Sequence, residues 1–103
     1  MIEDIKYLPS FYQELDAIVD YISITLEAPR AALNLVNELD IEIKKLKKFP
    51  NTHRLYRPIK PIKTQYRILT VGNYLVFYVV LDKHIEIHRM IYKKRNLSQL
   101  IKE

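Results

Sequence analysis

Phe11, Leu15, Ile18, Val19, Ile22 and Leu26 recur every three or four residues, the spacing that lines one face of a helix with apolar side chains. Ser10 followed three residues later by Gln13 is a capping-box pattern, so a first helix is expected from about 11 to 26. Pro29 suits the first position of a second helix, where Ala32, Leu35, Val36, Leu39, Ile43 and Leu46 mark one stripe. That helix should end near Lys48, before Phe49-Pro50-Asn51. Ahead of both, residues 2–8 alternate weakly and stop at Pro9, which reads as a short opening strand.

Beyond the helices the period changes from helix to strand. Residues 50–63 carry Pro50, Pro58 and Pro61 and read as an irregular connection, long enough to suspect a functional loop. Strands are expected at about 64–71, 74–81 and 84–92, joined by Gly72-Asn73 and Asp82-Lys83, turn dipeptides of hairpin length. The middle strand, Tyr74 to Leu81, is apolar on both faces and so needs neighbours on both sides. Residues 96–101 read as a helical turn capped by Asn96 or Ser98. Two amphipathic helices joined by two or three residues form an antiparallel hairpin. The pattern therefore predicts one α+β domain over residues 1–103, in the order β-α-α-β-β-β, with the helical hairpin packed on one face of a small, mainly antiparallel curved sheet.

At 103 residues and 49% hydrophobic side chains, the chain can fill one modest core. The net charge of +5 conceals a segregation. Residues 1–42 hold nine acids against Lys6 and Arg30, whereas residues 43–103 hold fifteen Lys or Arg against Asp82, Glu86 and Glu103. A field of one sign over one region steers acidic partners. For Lys44, Lys45, Lys47 and Lys48 the alternative is that they solvate a helix end and favour its dipole. There is no cysteine, so disulfides and thiolate-bound zinc are excluded. The acidic start lacks the basic and apolar regions of a signal peptide, and no apolar run approaches the roughly 20 residues of a membrane span. A soluble, cytoplasmic protein is expected, with no membrane partner.

Candidate chemistry is narrow. On a strand His84 and His88 stand about 13 Å apart at roughly 3.3 Å per residue, and His53 is isolated in a loop, so no metal site is expected. Ser10, Ser23 and Ser98 read as caps and turn residues, and one glycine in the chain leaves no phosphate-cradling loop; no cofactor is expected. What remains is Arg67, Arg89, Lys93, Lys94 and Arg95, with Tyr66, Tyr74, Tyr78, Tyr92, His88 and Glu86 nearby. Cations interleaved with aromatics suit phosphate contact and base stacking. They also suit metal-free RNA cleavage, with Glu86 or His88 as base and a cation to stabilise the phosphorane. Arg89 shares strand parity with Ile85, Ile87 and Ile91, so it either breaks a core face as a paired arginine or marks a bulge. The tyrosines equally suit ordinary sheet packing with a wet hydroxyl.

The element order, Phe49-Pro50 after the second helix, Tyr66-Arg67, Val71-Gly72-Asn73-Tyr74 and the run Ile87-His88-Arg89-Met90-Ile91-Tyr92-Lys93-Lys94-Arg95-Asn96 together resemble the RelE/ParE superfamily of type II toxin-antitoxin toxins. The resemblance covers nearly the whole chain. It implies a small toxin silenced by a cognate antitoxin from an adjacent gene, which meets operator DNA only through the antitoxin complex.

RelE-type members cut mRNA on the ribosome. They typically carry an arginine after the tyrosine that opens the central strand, where this chain has Leu75, and a tyrosine or histidine in the C-terminal tail, where it has neither. Lys94-Arg95 matches their basic tail, and Arg67 or Lys63 could replace their second-strand lysines. On that reading Arg67, Glu86, His88, Arg89, Tyr92 and Arg95 form the catalytic set. ParE-type members look more like this chain, with Tyr-Arg on the second strand, an apolar central strand and an Ile-x-Arg sequence before a basic tail. That likeness implies inhibition of DNA gyrase by binding, with Arg67, Arg89, Lys93, Lys94 and Arg95 as contacts. A plain basic nucleic-acid-binding domain is the third reading.

Overall fold

The computed structural model describes residues 1–101. The chain runs β1 (Asp4–Tyr7), α1 (Pro9–Asp20), α2 (Pro29–Lys45), β2 (Arg67–Val71), β3 (Tyr74–Val80), β4 (His84–Tyr92) and a terminal turn, α3 (Leu97–Leu100). This is the α+β order the pattern predicts.

Pro9 sets the start of α1 two residues earlier than the capping pattern does. Leu8 is the extended N-cap and Pro9 occupies the first turn, where its missing N–H costs nothing. Ser10 is therefore no cap; its hydroxyl donates to the His88 carbonyl at 2.6 Å. The regular helix ends at Asp20 and widens into a π-helical turn, Tyr21–Thr25, in which the Leu26 N–H reaches the Tyr21 carbonyl at 3.0 Å. The extra residue in that turn breaks the apolar stripe, so Ile22 is buried while Ile24 and Leu26 are exposed. Glu27, at φ 53°, then reverses the chain into α2. Pro29 opens α2 as expected, and pairs of Lys44 with Asp40 (2.8 Å) and Lys45 with Glu42 (3.1 Å) lace its last turns.

The sheet order is β1-β4-β3-β2, with β1 parallel to β4 and the other pairs antiparallel. Gly72, at φ 57°, begins the two-residue β2–β3 turn, a left-handed position that glycine adopts without strain. The expected strand start at 64 moves to Arg67, because the Tyr66 carbonyl accepts from the Tyr56 N–H of the preceding loop and Leu55 bridges Arg67. Helix α1 lies over β4 and α2 over β2. Between helices and sheet sits the main core, built on Phe11, Leu39, Ile43, Val76, Tyr78 and Ile87. A second core on the opposite face gathers Ile68, Leu75, Phe77, Ile91 and Ile101, roofed by Tyr56, Ile62 and Leu97.

One irregularity organises the functional region. Phe77 pairs with Arg89 and Tyr78 with Ile87, so His88 is an extra residue on β4 and has no partner across the ladder. Before this bulge the odd residues Ile85 and Ile87 face the helices; after it Met90 does, and Ile91 joins the second core. The parity that sets Arg89 with Ile85 and Ile87 thus fails beyond His88.

Candidate functional site

The bulge keeps His88 on the sheet face that carries Glu86, away from the helices. Glu86 Oε1 lies 3.0 Å from His88 Nε2, and Tyr66 Oη lies 2.9 Å from His88 Nδ1. A carboxylate only accepts, so Nε2 carries the proton; Nδ1 of the neutral ring then accepts from the Tyr66 hydroxyl. The hydrogen bond from His88, reinforced by His84 at 3.7 Å, holds the Glu86 carboxyl below its ordinary range. Tyr66 stands edge-on to both Phe77 and His88, with ring centroids at 5.9 and 5.3 Å, which fixes its hydroxyl on the imidazole. Carboxylate, imidazole and phenol form a line along which a proton can move, with Glu86 stabilising the imidazolium.

Both histidines therefore lean on one carboxylate, Glu86 standing between them two residues from each on β4. Among the described residues, no three histidine or acidic side chains are placed to hold a metal ion.

Arg89, adjacent to the bulge, turns to the sheet edge. Its Nε and Nη2 donate to Glu14 Oε1 and Oε2 at 2.9 and 2.8 Å, and Nη1 donates to the Leu100 carbonyl at 2.7 Å. Glu14 also accepts the Met90 N–H at 3.0 Å. The cause lies in the strand lengths: β1 ends at Tyr7, opposite Ile87, and leaves the outer edge of β4 open beyond that point. Side chains of α1 close it, Ser10 at His88 and Glu14 at Met90. Arg89 is thus both a paired arginine and the neighbour of a bulge.

Arg67 is likewise engaged within the fold. Its Nη1 donates to the carbonyls of Asn51 (3.2 Å) and His53 (2.7 Å), tying the loop after α2 to β2. Beside it the Tyr78 hydroxyl donates to the Pro50 carbonyl at 3.0 Å, and burial pushes that phenol up to about 12.

The remaining predicted residues occupy the other face. Tyr92 follows Met90 in strand alternation, so it faces the helices and packs on Tyr74 at 5.8 Å between centroids. With Ala17, Ile18, Tyr21 and Arg95 it lines a cleft of about 550 Å³. Lys93, Lys94 and Arg95 are exposed on the turn after β4, whose backbone is pinned by Lys93 N–H to Asn73 and Arg95 N–H to Tyr92, both 2.9 Å. Of the predicted catalytic set, only Glu86 and His88 meet in the relay. Tyr66 takes the place expected of Tyr92. Glu14, absent from that reading, controls Arg89; its chain distance of 75 residues leaves no local signal.

The chain matches the family model described as ParE toxin of type II toxin-antitoxin system, parDE, over residues 5–97. Among solved structures it is similar to the chromosomal ParDE system of P. aeruginosa, at 25% identity over 88% of this chain and 96% of that one, with a TM-score of 0.70. It shares its fold with YafQ of the E. coli DinJ-YafQ toxin-antitoxin complex, at 14% identity over 89% and 93% of the two chains and a TM-score of 0.57. No curated protein sequence matches it. The family match extends from inside β1 through both helices and the whole hairpin to the first residue of α3, and the chain belongs to the ParE toxin family of type II toxin-antitoxin systems.

Proposed function

We propose that this toxin acts by binding DNA gyrase and inhibiting it, and that it catalyses nothing itself. The observation that carries the reading is the engagement of Arg67 and Arg89. A nuclease needs a cation facing the phosphate, and both strand arginines are instead held by carbonyls and by Glu14. Of the predicted contacts, those that remain exposed, Lys93, Lys94 and Arg95, stand beside an aromatic cleft, as suits a surface that holds a macromolecule. The test is supercoiling by purified gyrase in the presence of the chain, with DNA breakage and inhibition as the expected result.

The partner that silences it is a cognate antitoxin whose disordered segment folds on the toxin. Its apolar side chains would lie on the helical hairpin, where Tyr7, Phe11, Tyr12, Leu15 and Val36 border a groove of about 280 Å³. Its carboxylates would favour the basic C-terminal half.

A second reading, metal-independent cleavage of mRNA on the ribosome, is favoured by the line Glu86–His88–Tyr66. Under it Glu86→Gln and Tyr66→Phe would abolish toxicity with the fold intact. Under gyrase inhibition both variants stay toxic.

A further inference from the structure

Between Glu42 and Asp82 the chain has nine Lys or Arg and no acid. Inside this stretch Arg54, Arg57, Lys60 and Lys63 follow one another at intervals of three, and the middle reads as a tandem unit, Arg57-Pro58-Ile59 then Lys60-Pro61-Ile62. Each proline fixes its own φ and keeps the preceding residue extended, so the backbones of Arg57 and Lys60 are restricted before anything binds.

The loop is also anchored at both ends. The Arg54 carbonyl accepts from Ile68 N–H at 2.9 Å, the Tyr56 N–H donates to Tyr66 at 2.8 Å, and the Tyr56 ring stands edge-on to Phe77 at 5.3 Å. On the far side Ile62 packs into the second core. Between the anchors the chain bends at Ile59–Lys60 and projects, with Ile59 fully exposed at 99%. Arg54, Arg57 and Lys60 are exposed and have no ion-pair partner among the described residues. Under the bend lies a hollow of about 480 Å³, with Tyr56, Arg57, Pro58, Lys63 and Gln65 on its wall.

We propose that residues 54–63 form a phosphate-binding arm that grips the backbone of a nucleic acid. Every exposed polar side chain from Arg54 to Pro61 is a cation, which matches a ligand that repeats one anion. A protein surface offers donors and acceptors of mixed sign. Restricted backbone lowers the ordering cost of binding, and exposed unpaired cations gain from counterion release at each phosphate. The arm is independent of the gyrase reading: it supplies affinity for phosphodiester, whichever complex presents it.

The test is fluorescence anisotropy of the purified chain with labelled 30-base-pair DNA and, separately, 30-nucleotide RNA, across a salt series. Arg54→Gln, Arg57→Gln and Lys60→Gln are combined in one variant. Lys47→Gln, Lys48→Gln and Lys83→Gln, exposed and outside the arm, make a control of equal charge change. The arm variant should lower the log–log salt slope by about 2.7 on the duplex or about 2.1 on the single strand, weakening binding at low salt by ~10-fold or more. The nucleic acid on which the drop reaches the value expected for it is the arm's ligand. Unchanged melting temperature checks the fold, and Arg57→Gln alone should give about one third of the slope change. Equal losses in the arm variant and the control would overturn the proposal, since net charge alone would then account for binding. So would wild-type binding with no salt dependence, or no binding to either nucleic acid.

Discussion

Arg89 and Glu14, 75 residues apart, are joined by two parallel hydrogen bonds of 2.9 and 2.8 Å that also fasten α1 to the outer edge of β4. The same guanidinium holds the Leu100 carbonyl, so one side chain links helix, sheet and C-terminal turn. Bidentate charge-assisted pairs of this kind are stronger than neutral hydrogen bonds and geometrically exact in their demands. Both side chains are about one-quarter exposed, which places the pair between surface and buried limits.

Glu14→Ala should therefore destabilise the fold by about 2 kcal/mol, because it leaves the Met90 N–H and the guanidinium without their acceptor. Arg89→Lys should recover little of the loss in Arg89→Ala, since an ammonium cannot reproduce the fork. Denaturant unfolding of both singles and the Glu14→Ala/Arg89→Ala double gives the coupling, expected at about 1–2 kcal/mol. Additive single effects would mean that the pair contributes nothing of its own.

Gly72→Ala tests the hairpin. A Cβ there meets only Leu35 Cδ1, at 3.9 Å, so space is not the obstacle and the cost is the left-handed backbone at φ 57°. The loss should be about 1 kcal/mol, with Gly72→Asn costing less. A larger loss for Asn than for Ala, by thermal unfolding, would show that something other than backbone conformation decides.

Tyr78 gives an alkaline signature. Its folded value of about 12 lies above the ordinary phenol value of 10.0, so the stability it contributes is fully present below pH 10 and is lost as pH rises through about 12. Tyr78→Phe should flatten stability in that window while costing about 1 kcal/mol at neutral pH through the lost bond to Pro50. Parallel pH curves for the two proteins would contradict the assignment.

Glu86 gives the opposite sign at acid pH. Its carboxyl is held below the ordinary range by the hydrogen bond from His88, so its contribution is present above the unfolded value and disappears as pH falls through the folded one. As pH falls below the ordinary carboxyl value of 4.5, the wild type should lose melting temperature faster than Glu86→Gln. Indistinguishable slopes would remove Glu86 from the relay.

The helices, the hairpin turns and β4 were legible because each rests on a local period or turn dipeptide, and the second helix and β4 begin where the pattern places them. The bulge was visible only as its symptom, an arginine at a core parity. Glu14 could not be read at all, because its partner is set by how α1 lies across an edge that β1 leaves open. Tyr66 and Tyr92 exchanged roles for a related reason: one extra residue at His88 turns Tyr92 to the helix side, while Tyr66, on β2's approach, stays beside the imidazole. The division between structural and exposed cations showed in the sequence only at Arg89, whose core parity asked for a partner; Arg67 carries no such mark, because its acceptors are backbone carbonyls of Asn51 and His53 in the preceding loop.

Purified gyrase, relaxed plasmid and the toxin decide between target binding and catalysis most directly, with Glu86→Gln and His88→Gln assayed beside the wild type. Gyrase inhibition predicts loss of supercoiling and accumulation of broken DNA, undiminished in both relay variants. Undisturbed supercoiling, together with transcript cleavage on ribosomes that both variants abolish, would contradict it.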